Sequence, residues 1–252
     1  MTLARLWIGF AALAALLIIV PAGASPAWAQ IYVIESSAPD IKVGAQLAMA
    51  DTLSLPAGAM IRAVLPSGKT QTIKGPYQGK VADLARGQEI NEGVVGWLKN
   101  ILQTGGATEA TPGATRSASP PARPRAPGRF SWTNVPTFTD GSVCVGKDGK
   151  LQLARVPATV AQRVAVVEVE SAARGEAEWP AGQELVAWPA QVSVRPGGTY
   201  WLLIEGRPRR QVKLEVFDQV PGEDDVLAAL QMRGCRYQFE AFVRDKLAGA
   251  KP

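Results

Sequence analysis

The stretch "LSLPAGAMIRAVLPSGKTQTIKGPY", Leu53 to Tyr77, decides how the chain is read. Leu53 and Leu55 alternate with polar neighbours and run into Pro56-Ala57-Gly58, where proline suits the second position of a type I turn and glycine the fourth. Ile61, Ala63 and Leu65 then fall on one face of an extended segment, Pro66-Ser67-Gly68 turns the chain, and Thr70 to Lys74 returns. A period of two between turn signals predicts a small antiparallel β-unit. Downstream the period changes. In "EINEGVVGWLKNILQ", Ile90, Val94, Trp97, Leu98 and Ile101 recur at helical spacing, which predicts one amphipathic helix.

From Gln103 to Gly128 the chain reads "QTGGATEATPGATRSASPPARPRAPG", with almost no large apolar side chains. Such a segment cannot bury enough surface to offset its ordering entropy, so residues 103–129 are expected to be a disordered Pro/Ala-rich linker. It separates a first domain, residues 30–102, from a second, residues 130–252. In the second, Asp148-Gly149 between "SVCVG" and "LQLAR" is a hairpin signal, because a primed two-residue turn needs positive φ. "RVAVVEVE", "VSVRPGGTYWLLIEG" with its turn at Pro196-Gly197, and "QVKLEVF" continue the expected antiparallel meander. After Pro221, "GEDDVLAALQM" and "CRYQFEAFVRDKLAG" have helical spacing, with Glu223, Asp224 and Asp225 expected in a first turn where the macrodipole favours anions. The fold class expected is mainly β with some α: two small antiparallel β-rich domains, the second sandwich-like, each followed by C-terminal helix.

The first 29 residues read differently. Arg5 precedes an apolar run from Leu6 to Val20, Pro21 breaks it, and Ala27 and Ala29 in "SPAWAQ" stand in A-x-A spacing. This is the pattern of a secretory signal cleaved after Ala29, with Ala22-Gly23-Ala24 a second possible site. The run falls short of the ~20 residues that a spanning helix needs, and no cysteine follows it to carry a lipid. The expected localisation is periplasmic, with no stable membrane anchor after cleavage.

Net charge is +5, but its distribution argues against a nucleic-acid partner. Residues 30–102 carry 7 Lys/Arg against 6 Asp/Glu, 103–129 carry 4 against 1, and 130–252 carry 15 against 15. The excess sits in the linker rather than on a folded face able to track phosphates.

Two cysteines, Cys144 and Cys235, lie in one domain of an exported chain, so the simplest reading is one disulfide stapling the helical tail to the sheet. A thiol nucleophile would want a histidine as base, and the chain has none. Zinc would want four Cys/His-type ligands. "AVLPSGKT", Ala63 to Thr70, fits a relaxed phosphate-loop pattern, yet "QTIKGPY" follows it where a helix should begin, so no nucleotide is expected. Neither G-x-S-x-G nor S-x-x-K occurs. Glu176 with Glu178, or Glu223 with its two aspartates, are the only acid clusters suited to glycosidase chemistry, and solvated charges explain them better. No cofactor and no metal are expected. Trp179-Pro180 and Trp188-Pro189 recur in "EWPAGQELVAWPA"; two presented indoles could grip a sugar or a partner, although core packing is the commoner use. Arg207, Arg209 and Arg210 in "GRPRR" form a basic tip that could touch acidic polymers.

At "VGAQLAMADTLSLPAGAMIRAVLPSGKTQTIKGPY", residues 43–77, the Gly-x-x-Leu step, the "LPAGA" turn and the Gly-containing hairpin resemble the FecR-like periplasmic β-domain. The stretch also looks like the exported alphaproteobacterial proteins that share this module. The resemblance covers about 35 residues and implies a β-rich periplasmic domain working through protein contacts without a cofactor. FecR regulators carry a cytoplasmic region ahead of a membrane helix, whereas about five residues precede the apolar run here, so sigma-factor regulation does not carry over. The sequence reading is thus a non-enzymatic exported protein that binds an envelope protein partner or senses a surface component, two modules on a tether acting jointly. The alternative is a peptidoglycan- or polysaccharide-binding module using the Trp-rich face.

Overall fold

The structure is a computed structural model that describes residues 30–104 and 129–249. The expected signal, and the linker from residue 105 to 128, lie outside the described residues. The fold is mainly β with four helices among the described residues.

The first half opens with β1 (Gln30–Ser36), β2 (Gln46–Ala48), β3 (Thr52–Leu55), β4 (Met60–Val64), β5 (Thr70–Lys74) and β6 (Tyr77–Lys80). One antiparallel sheet runs β2-β1-β4-β5, and β3 pairs with β6 beside it. Both turns form near 56–58 and 66–68, but the first is one residue out of the expected register: the Ala59 amide donates to the Pro56 carbonyl at 3.1 Å and Gly58 takes φ +82°, so Pro56 stands first and Gly58 third, a type II arrangement, while β4 and β5 make a hairpin with Val64 opposite Thr70. α1 (Val81–Leu84) and α2 (Glu92–Thr104) follow, α2 reaching two residues into the stretch expected to be linker.

β1 is apolar from Ile31 to Ile34 because both its faces are covered. Ile31 and Val33 join Leu53, Leu55, Ile61, Ala63 and Leu65 in the core of this half, while Tyr32 and Ile34 face a second cluster with Val64. Strand alternation sends successive side chains to opposite layers, so an unbroken apolar run marks a doubly covered strand.

The second half has β7 (Asn134–Pro136), β8 (Gly141–Gly146), β9 (Gln152–Ala154), β10 (Gln162–Glu168), β11 (Arg174–Trp179), β12 (Leu185–Ala187), β13 (Thr199–Ile204) and β14 (Arg210–Phe217). Five strands run β11-β10-β13-β14-β8, and three run β12-β9-β7. Val143, Val145, Val164, Val166, Leu202, Val212 and Leu214 meet Val135 and Leu153 between the two sheets, which gives the sandwich. Two expectations are corrected here. β8 and β9 do not pair as a hairpin: β8 joins β14 in parallel and β9 lies between β7 and β12. Neither Asp148 nor Gly149 takes positive φ, so the turn carries the chain across to the other sheet instead of folding it back. Val192 to Val194, expected as strand, is irregular, and its Val192 fills the core as a loop residue.

α3 (Val226–Met232) and α4 (Arg236–Gly249) close the chain, with Gly234 at φ +71° making the joint between them. Glu223, Asp224 and Asp225 precede α3 rather than occupying its first turn. They are drawn instead to cations of the first half.

The halves share one core. Val94, Val95, Leu98 and Ile101 of α2 pack with Tyr32 and Ile34 against Leu227, Leu230, Phe239, Phe242 and Val243 of α3 and α4. Trp97 meets Phe239 edge to face at 5.2 Å, and the Thr70 amide donates to the Asp224 carbonyl at 2.8 Å. Cys144, on the β8 face opposite Val143 and Val145, enters the same cluster bonded to Cys235, their Cα atoms 5.8 Å apart. Gln238 of α4 adds a clamp: its Oε1 accepts from the Cys144 amide at 2.6 Å and its Nε2 donates to the Cys144 carbonyl.

Candidate functional site

Where the halves meet, a cleft of about 1000 Å3 opens. One wall is the end of β1 with the residue after it and the start of β4, giving Glu35, Ser37 and Met60; the other is α4 with the segment entering β7, giving Phe130, Phe242, Asp245 and Lys246. Its apolar part comes from Met60, Phe130 and Phe242, and Phe130 is fixed edge to face on both Trp132 and Phe242 at 5.0 and 5.1 Å. Its rim is charged. Lys246 reaches Glu35 at 2.8 Å and also Glu223, bridging the lips of the cleft. Behind the rim, Arg62 lies 8% exposed and pairs with Glu223 at 3.1 Å and Asp224 at 2.7 Å. The hydrogen bond from Lys246, aided by the charge of Arg62, holds the Glu223 carboxyl below the usual carboxylate range against the opposing effect of burial. Arg62 Nε is buried without a protein partner, so the network is satisfied toward the carboxylates and open on one donor.

This arrangement can hold a chain segment with mixed apolar and charged side chains. Among the described residues no group of His, Cys, Asp and Glu is placed to hold a metal ion.

The residues singled out in sequence are dispersed. Trp179 is wholly buried on β11 between the sheets, with the Arg155 guanidinium over its ring at 4.8 Å and its own Nε1 without a protein partner. Its expected contact role is therefore corrected: a ring with no accessible surface cannot lie on a sugar or a partner. Trp188 is half-buried, edge to face with Tyr200 at 5.2 Å, its indole N–H donating to the Val192 carbonyl at 2.8 Å. Arg209 stacks over Trp201 at 4.3 Å, Arg210 pairs with Asp140 at 2.8 Å, and Arg207 lines two adjoining pockets of the basic tip. Glu176 is tied to Arg174 at 2.7 Å on an exposed edge. "AVLPSGKT" is the β4–β5 hairpin, with Gly68 at φ +87° and an exposed Lys69 placed 3.5 Å from Asp225. A strand-to-helix phosphate loop is thus not formed.

The cleft was missed in sequence because its residues come from five separate stretches, each unremarkable alone. Arg155, just past β9, had a signal: it continues the period-two phase of Leu151 and Leu153, which pack into the core between the sheets.

Compared with protein-family models, with curated proteins and with solved structures, the chain gives no match. The functional reading rests on the site itself.

Proposed function

We propose that this is an exported, non-enzymatic envelope protein that works by binding a protein partner, and that the cleft between its halves receives a segment of that partner. The observation that carries the reading is the cleft's composition: an apolar floor of Met60, Phe130 and Phe242 inside a rim of Glu35, Glu223, Asp245 and Lys246. Protein interfaces are built this way, with aromatic and Met side chains at the centre and polar groups around them. Export is supported by the residue 1–29 pattern and by a disulfide, which persists in oxidising compartments. The likeness of residues 43–77 to the FecR-like β-domain points the same way.

The test places a photo-cross-linking residue at Ser37, exposed on the cleft lip, with Arg86 outside the cleft as control. Irradiation of the native envelope should give one discrete cross-linked protein from position 37 and none from 86. Equal, diffuse products from both positions would sink the reading, as would enzyme-like hydrolysis of an envelope polymer by the purified protein. A glycan-binding reading retains Trp188 and Trp201, the latter half-buried beneath Arg209. Recovery of the protein with wall fragments, abolished by Trp201→Ala in a folded protein, would favour it instead.

A further inference from the structure

Arg155 is 4% exposed, and its three hydrogen bonds go to neutral oxygens: the Gln183 carbonyl at 3.2 Å, Gln162 Oε1 at 2.6 Å and the Pro180 carbonyl at 2.7 Å. A guanidinium carries five N–H donors, so two remain. A buried charge normally has a counter-charge, because dipoles alone recover only part of its lost hydration. Among the described residues no carboxylate pairs with Arg155. Instead it opens on a pocket of about 110 Å3 whose wall includes Thr137, Phe138, Gln162, Arg207 and Arg210.

That wall holds three arginines and no acid. Asp140 stands outside it, pairing with Arg210 through one guanidinium nitrogen, and Glu205 lines the neighbouring groove. Burial, and then the like charge of Arg207, lower the pKa of the Arg155 guanidinium, and among the described residues no carboxylate lines the pocket that the two arginines share.

We propose that this pocket binds a single small oxyanion, the carboxylate or phosphate group of a ligand, between Arg155 at its back and Arg207 at its mouth. The volume sets the size class: it is well under the ~300 Å3 at which pockets for whole drug-sized ligands begin, so it takes one charged group and leaves the remainder of the ligand outside. Arginine suits the task because its planar fork donates two parallel hydrogen bonds to such a group. The pocket shares no lining residue with the cleft between the halves, so this assignment and the partner-binding reading fail independently.

The mature protein, labelled with 15N, is titrated with inorganic phosphate and separately with acetate, chloride being used to hold ionic strength constant, while the Arg155 Nε–Hε signal is followed. A saturable shift with at least one of the two anions is expected, and which of them gives it separates a phosphate-bearing from a carboxylate-bearing ligand. Arg207→Gln, at an exposed position, should weaken that binding about tenfold with the melting temperature kept, the loss of one charge-assisted hydrogen bond. Arg209→Gln, outside the wall, should leave it unchanged. Absence of a saturable shift with either anion, or wild-type binding by Arg207→Gln, would overturn the assignment.

Discussion

Replacing both Cys144 and Cys235 by alanine should cost the protein several kcal/mol while leaving the native packing nearly intact. The two positions are 91 residues apart, and on the chain-entropy relation a loop of that size contributes about 4 to 5 kcal/mol by restricting the unfolded chain. The native side loses less, because Gln238 still clamps the Cys144 amide and carbonyl and holds α4 against β8. For a folded unit of this size each kcal/mol moves Tm by roughly 2 to 4 °C, so the double variant should melt roughly 8 to 20 °C below the oxidised protein. The assay is a thermal melt of wild type, wild type with reductant, and the variant, which should agree for the last two. Amide exchange would locate the effect. α3 and α4 share their core with α2, so protection at Val94 and Leu98 should fall together with that at Leu227 and Phe239. A Tm within about 2 °C of wild type would refute the entropic reasoning. Exchange confined to residues after Pro221 would refute the shared core.

Gln238→Leu should destabilise by roughly 2 to 4 kcal/mol in urea titrations, since it leaves a buried amide and carbonyl of β8 unsatisfied. Gly68→Ala should cost about 1 to 3 kcal/mol by the same measurement: the position has φ +87°, and an added Cβ would lie 2.8 Å from Val94 Cγ2 and 3.3 Å from Ala228 Cβ. Glu223 has its folded pKa depressed, chiefly by Lys246, so its contribution is present above the ordinary value of 4.5 and is lost as pH falls through the lower folded value. Melts between about pH 6 and pH 3 should therefore show a shallower decline for Glu223→Gln than for wild type, and parallel curves would count against the bridge. Trp188→Ala should lower stability by about 3 kcal/mol, by loss of the packing on Tyr200 and of the bond to Val192, and an unchanged melt would show that the ring does not pack as described.

What could be read from sequence was what is local. Ile61 to Lys74 folded as its alternation and its Pro66-Ser67-Gly68 turn required, because both strands of the β4–β5 hairpin and its turn lie within one short window. The disulfide was legible because two cysteines leave one pairing. Asp148-Gly149 misled because a turn dipeptide reports that the chain bends, and says nothing of whether the next strand stays in the sheet or crosses to the facing one. The parallel pair of β8 with β14 joins segments about 70 residues apart, beyond any window of periodicity.

The shared core changes what the expected tether between the halves would do. Two independent modules on a flexible chain would gain from raised local concentration, but that gain requires each to fold and move alone. Here Tyr32, Ile34 and Val64 turn their apolar side chains out of the first half's own core, and α2 covers them only with the help of Leu227, Leu230, Phe239 and Phe242. The fold thus needs both halves to bury one layer, much as a domain core cut in two must be rejoined to become stable. It is this joining that sets Lys246 between Glu35 and Glu223 and creates the cleft, so neither half by itself contains the proposed partner site. The oxyanion pocket, by contrast, is built wholly from Thr137 to Arg210 and needs only the sandwich.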